Sequence, residues 1–310
     1  MEEQEEKRKI LRIILSFLFF LLVLFLLGVY WLIPFRTFEF KTGEINNNFS
    51  LNNTELKDMQ FYEKMRYPDS SISYKILDCT LKKQKDMKKA FEIIEEKTIL
   101  NFYPVENNAE IEISCDEKMK IEGDLFIAGE GGPVNITQTD NFNVIIRGKV
   151  LLIENSRCPN PNVAIHELLH ALGFKHSENS ESIMYSITKC SQNIGKDIPD
   201  LINELYSYES LPDLSIKNAT AFIHSRYLDI NTTIKNNGLK KSKPGKLSIY
   251  ADEEFVKDFD IETLEVGYER TIILKNILVN KRNLKKLGIL IDLKEKELNK
   301  KNNKISLENK

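Results

Sequence analysis

Three of the four histidines in this chain fall within eleven residues, His166 to His176, in the stretch HELLHALGFKH. The surrounding NVAIHELLHALGF has apolar and histidine positions at helical spacing, which puts His166 and His170 one turn apart on one helix face. Two imidazoles placed that way can each ligate the same Zn²⁺ at about 2.0–2.1 Å. Glu167 stands beside the first ligand without being one, and can take a proton from a metal-activated water. Gly173 permits a sharp change of direction that a side chain would obstruct. The chain can then return His176 as a third nitrogen ligand, leaving the fourth position open. An open position is the mark of catalytic zinc, because structural zinc sites are closed. His224, far from this group, reads as an ordinary exposed side chain.

The N-terminus bounds where such a site would work. Ile13 to Ile33, IILSFLFFLLVLFLLGVYWLI, contains no charged residue. At a rise of about 1.5 Å per residue it reaches roughly 30 Å, the hydrocarbon thickness of a bilayer. It ends in Tyr30, Trp31, Pro34 and Phe35, an aromatic interfacial flank with no small-residue cleavage site, so it reads as an uncleaved anchor. Lys7, Arg8, Lys9 and Arg12 precede it, whereas only Arg36 and Lys41 follow closely. The positive-inside rule therefore keeps residues 1–12 cytoplasmic and sends residues 34–310 outside. Cys79, Cys115, Cys158 and Cys190 all lie on that outer side and none forms a C-x-x-C pair. Two disulfides are expected, in one of three connectivities. Lysine plus arginine (44) nearly balance aspartate plus glutamate (46), so the net charge of −2 carries no nucleic-acid footprint.

Residues 34–70 are polar and asparagine-rich and read as a stalk. From Ile72 the texture changes. ISYKIL alternates like a strand, and KKQKDMKKAFEIIEEKTIL places Met87, Phe91, Ile94 and Ile99 at helical spacing. AEIEIS and KVLLIE are further strands, separated by the glycine run AGEGGPVNI (128–136), and DIPDLINELYSY is a closing helix. This order predicts an α/β or α+β layer over residues 71–209. Beyond Pro212, six short strand candidates separated by turn pairs such as Asn237-Gly238 and Pro244-Gly245 predict a small β-sandwich over 212–296. Residues 297–310 read as a polar tail.

HELLHALGFKH matches the metzincin zinc-binding signature at every fixed position, and SIMY, with Met184 eight residues after His176, resembles the Met-turn that follows it. Ser177 directly after the third histidine makes the stretch most similar to the matrixins, the family of the matrix metalloproteases. The resemblance implies a zincin-like α+β catalytic domain with a twisted mixed sheet and an active-site helix. It implies His166, His170 and His176 as zinc ligands, Glu167 as general base, and Met184 as a structural floor. Two departures stand out: Ser186 replaces the proline that usually follows the Met-Tyr pair, and no cysteine precedes Ile72 to act as a switch. The absence of a tyrosine two residues after Met184 argues against the astacins and serralysins, which have a fifth-ligand tyrosine there. The β-rich segment, through PDLSI, NTTIKNNG, KLSIYADEEFV and LEVGYERTIIL, resembles a CARDB domain, the Ig-like sandwich of prokaryotic surface proteins.

These resemblances imply a membrane-anchored, extracytoplasmic zinc endopeptidase acting on protein or peptide substrates, with the glycine-rich segment as an upper rim able to pair with an extended peptide. The sandwich would serve as a spacer or contact a surface partner. An adhesion or scaffold protein with a vestigial zinc site is the alternative, and the intact Glu167 argues against it. The matrixin resemblance places the strands ending in Cys79 and Cys115 in one sheet, which pairs those cysteines. Cys158, before the active-site helix, then pairs with Cys190, after the Met-turn.

Overall fold

The computed structural model describes residues 15–26, 58–116, 120–122, 125–153, 158–224, 227–280 and 286–308. The chain divides into two units, Met1–Glu44 and Ile45–Lys310. In the first, residues 15–26 form helix α1. Among the described residues no helix is long and apolar enough to cross a membrane, and the rest of the expected 13–33 span lies outside them.

The second unit opens with a six-stranded sheet built from β1 (Met65–Arg66), β2 (Ser71–Ile76), β3 (Asn101–Pro104), β4 (Ile111–Cys115), β7 (Gly129–Gln138) and β8 (Asn143–Leu152). A separate two-stranded hairpin, β5 (Lys120–Glu122) and β6 (Leu125–Ile127), lies between β4 and β7 in sequence. Pairings β2–β3, β2–β4, β4–β8 and β1–β8 are parallel, and β7 alone runs antiparallel, on β8. Parallel neighbours need a long crossover, and helix α2 (Leu81–Lys97) supplies it between β2 and β3. Its Met87, Ala90, Phe91 and Ile94 are buried at the predicted helical spacing, with Phe91 ring-packed on Tyr74 and Phe102 at 4.3 and 4.6 Å. Ile99 does not join that stripe. The helix ends at Thr98, whose hydroxyl donates to the Ile94 carbonyl at 2.8 Å, and Ile99 is half-exposed. Adjacent β2 and β4 bring Cys79 and Cys115 together in a disulfide, and Cys158 bonds Cys190.

Of the expected stalk at 34–70, residues 34–57 lie outside the described residues, and the part that follows is not a tether. Residues 58–66 pack into the domain: Gln60 bridges to Phe174, the Phe61 amide donates to the Gly173 carbonyl at 2.9 Å, and β1 joins β8. The side chain of Gln60 closes this segment on itself, its amide donating to the Met65 carbonyl at 2.6 Å and its carbonyl accepting from the Met65 amide at 3.0 Å. Next to it, Arg66 is almost fully buried, and among the described residues it forms no ion pair within 4 Å, although the charge of Asp69 acts on it. It donates to the carbonyls of Tyr67, Pro68, Leu205 and Tyr208 and lies 4.3 Å over the Tyr206 ring. Two of those carbonyls follow from the C-terminal end of helix α4 (Asp197–Tyr206), where the helix dipole favours a cation.

After Pro212 the chain forms two antiparallel sheets, β13-β10-β9 and β12-β11-β14-β15. Their strands are β9 (Leu214–His224), β10 (Tyr227–Asn236), β11 (Gly245–Ala251), β12 (Glu254–Ile261), β13 (Glu269–Leu278), β14 (Lys286–Leu293) and β15 (Lys304–Glu308). Alternating Leu228, Ile230 and Ile234 from one sheet meet Leu247, Ile249, Ile289 and Ile291 from the other in a common core. The expected polar tail is thus partly structural: β15 pairs with β14, and its Ile305 and Leu307 pack on the core.

Candidate active site

Helix α3 (Asn162–Ala171) is buried along nearly its whole length, its polar Asn162, His166, Glu167 and His170 included. It has no side-chain cap. Asn162 instead donates through its amide to the Lys189 carbonyl at 2.7 Å, tying the helix start to the loop that follows the Met-turn. Gln192, also buried, holds that loop from within, donating to the carbonyls of Ser180 and Ile187 at 3.1 and 2.9 Å.

The helix ends where the sequence placed the reversal. Gly173 has φ +97°, and a Cβ there would meet Met65 Cγ and Sδ at 2.6–2.7 Å, so both conformation and space demand glycine. The reversal carries the chain down to His176. The Nε2 atoms of His166, His170 and His176 then stand 3.0, 3.1 and 3.2 Å from one another. On the far side of two of these rings, Nδ1 of His166 lies 2.7 Å from the Ile183 carbonyl and Nδ1 of His170 lies 2.8 Å from the Phe174 carbonyl. A carbonyl only accepts, so both Nδ1 atoms carry the proton and both Nε2 lone pairs face inward. Burial holds all three imidazoles below their usual pKa, His170 at about 3, which keeps them neutral as metal ligation requires. Three nitrogens 3.0–3.2 Å apart can all lie about 2.0 Å from one point, so the donor set fits zinc.

Glu167 is buried beside this triad. Burial, aided by the charge of Glu130, pushes its carboxyl up to about 8, and a divalent cation at the histidines would oppose both effects. The helix reaches β7 at this residue. A Cβ on Gly129 would meet the Glu167 side chain at 2.7–2.9 Å, and one on Gly131 would meet the Glu167 Cα and carbonyl carbon at 2.9 Å and its oxygen closer still. Glycines two apart share one strand face, so their spacing was a legible sign of a close approach, although what approaches was not. Met184 is buried below, between two polar ties: the Ile183 carbonyl on His166, and its own carbonyl accepting from the Ser177 amide at 2.8 Å, next to His176. No sequence signal marked Phe61, whose ring stacks on His170 at 5.8 Å from within the expected stalk. The side chain of His224 lies outside the described residues.

Comparison with known families agrees with this geometry: residues 66–207 match the matrixin peptidase family, and residues 211–307 match CARDB. The chain joins a matrixin domain to a CARDB domain. Matrixins are zinc-dependent metalloproteases, and the matrixin domain here contains the histidine triad. The CARDB domain is similar to one from Pyrococcus furiosus solved in complex with di-metal ions, at 16% identity over 32% of this chain and 88% of that chain, with a TM-score of 0.26. It is also similar to the 272–376 domain of a proposed cell surface protein from Methanosarcina acetivorans, at 21% identity over 31% and 88%, with a TM-score of 0.27. No curated protein matches the chain in sequence.

Proposed function

We propose that this chain is a membrane-anchored zinc endopeptidase that cleaves protein or peptide substrates outside the cytoplasm. The observation that carries the reading is the convergence of three neutral imidazole Nε2 atoms beside a buried carboxyl that stands outside their cluster. Zinc bound by His166, His170 and His176 would supply Lewis-acid polarisation and lower the pKa of water at the site. Glu167 accepts the proton of the attacking water and returns it to the leaving amine. The Met-turn carbonyl of Ile183 keeps His166 in the ligating tautomer, and Met184 fills the floor. Among the described residues β7 pairs only with β8, so its other edge offers backbone donors and acceptors to an extended substrate. The uncharged Ile13–Ile33 and the basic cluster before it support an anchor with an outward catalytic domain.

The test is turnover of a fluorogenic peptide library by the detergent-solubilised full chain loaded with zinc. Cleavage that stops on chelation and returns with zinc is expected. Zinc-bound protein that cleaves no peptide would leave an adhesion or scaffold role, with the CARDB domain as the working part, in its place.

A further inference from the structure

The CARDB domain touches the catalytic domain at one end of a strand whose other end touches the catalytic glutamate. That strand is β7. It runs over ten residues, roughly 30 Å. Gly129 and Gly131 lie against Glu167 at its start. Its pairing with β8 is irregular in the middle, where the register shifts on both sides of Asn135 and Pro133 lacks an N–H to donate. An edge strand interrupted in this way is held less firmly by its neighbour, so an anchor at its far end matters.

The far end is the β7–β8 turn, and the CARDB domain grips it. The Asp140 carboxylate accepts from Lys217 at 3.0 and 3.1 Å, from Lys235 at 3.1 Å and from the Asn237 side-chain amide at 3.1 Å, and the Asp140 backbone N–H donates back to Asn237 Oδ1 at 3.2 Å. Asn141 donates to buried Asp213 at 2.9 Å. Phe142 and Val144 share a small apolar cluster with Leu239 of the sandwich. Gly267 sits so close to Thr137 and Gln138 that a Cβ would collide with the Thr137 side chain and stand 3.2 Å from the Gln138 carbonyl. Lys217, Lys235, Asn237 and Gly267 come from three separate segments of the sandwich, which makes this a docked surface and not a linker.

We propose that the CARDB domain is a positioning element of the active-site cleft, holding β7 in register through Asp140 so that its free edge stands at a fixed place over Glu167. Asp140 is the positioning residue, acting through β7. This inference rests on the reading of β7 as the substrate-pairing edge.

Two sets of substitutions in the full chain test it: Asp140→Ala in the β7–β8 turn, and Lys217→Ala with Lys235→Ala on the sandwich side of the same contact, outside the catalytic fold. Both should retain wild-type zinc content. Both should raise KM about fivefold with kcat little changed, since only the edge that binds substrate has loosened. Amide hydrogen exchange should accelerate in residues 129–138 while α3 stays protected. Asp140→Glu should restore part of the KM. Wild-type KM and wild-type exchange in both variants would overturn the proposal, as would a fall in kcat with equal loss of protection in α3, which marks general destabilisation. If the zinc-loaded wild type cleaves nothing, the proteolytic reading fails. The exchange of β7 alone then decides whether the CARDB domain holds it.

Discussion

Replacing Gly131 by alanine adds one methyl group at the point where β7 meets the backbone of helix α3. The new Cβ would stand 2.9 Å from the Glu167 Cα and carbonyl carbon and nearer still to the oxygen, against about 3.5–4.0 Å for unstrained carbon contacts. Backbone on both sides cannot rotate away, so strand and helix must separate by on the order of 1 Å. Overpacking of this kind costs about 1–3 kcal/mol. A displacement of about 1 Å between a catalytic group and its substrate costs roughly a hundredfold in rate. Gly131→Ala should therefore lower kcat/KM on that order, while urea denaturation shows a loss of about 1–3 kcal/mol and zinc content stays stoichiometric. Gly132 is the built-in control, because a Cβ there has nothing within 4 Å. Peptide turnover and denaturation of Gly131→Ala and Gly132→Ala, measured side by side, decide the matter. If the two behave alike, close packing between β7 and Glu167 does not govern the site.

Other consequences are equally direct. The Cys158–Cys190 bridge closes a loop of sequence separation 32 around all three histidines and Met184, worth about 3–4 kcal/mol on the chain-entropy account. Cys158→Ser/Cys190→Ser should thus release zinc faster to a chelator than Cys79→Ser/Cys115→Ser. Arg66→Ala strands four backbone carbonyls and should cost about 3 kcal/mol in denaturant titrations, with Arg66→Lys recovering only part because an ammonium lacks the guanidinium fork. Burial opposes the charge of Asp140, but hydrogen bonds and charge from Lys217 and Lys235 outweigh it and hold its carboxyl below the ordinary range. Its contribution is complete above the unfolded value of about 4 and is lost as pH falls through the lower folded value. Between pH 5 and pH 3 the wild type should accordingly lose more stability than Asp140→Asn.

The triad was legible because its information is local. A one-turn spacing on a helix, a glycine that must reverse the chain and a third histidine just beyond need no knowledge of distant residues. The disulfides required more, since Cys79 and Cys115 meet only because β2 and β4 are neighbours, and the family resemblance supplied that. Elements whose order depends on a remote partner were hidden. Residues 58–66 look like tether by composition, yet the carbonyl of Gly173 and strand β8 give them somewhere to bond. β3 contains Pro104, which reads against a strand and is tolerated at a sheet edge. β15 is surrounded by lysine and asparagine, and only Ile305 and Leu307, facing the sandwich core, reveal it. Asp140 resembles any turn aspartate until the CARDB lysines are brought to it.

In the proposed mechanism three histidines hold zinc and Glu167 moves the proton. Zinc content and peptide turnover of Glu167→Gln, measured together with the wild type, test it most directly, because glutamine keeps the size of the side chain and removes its capacity as a base. One zinc per chain is expected in both proteins, with turnover in the variant reduced by about 10²–10⁴-fold, the usual reach of general acid–base catalysis. Wild-type turnover in Glu167→Gln with zinc in place, or turnover by a wild type that holds no zinc, would contradict it.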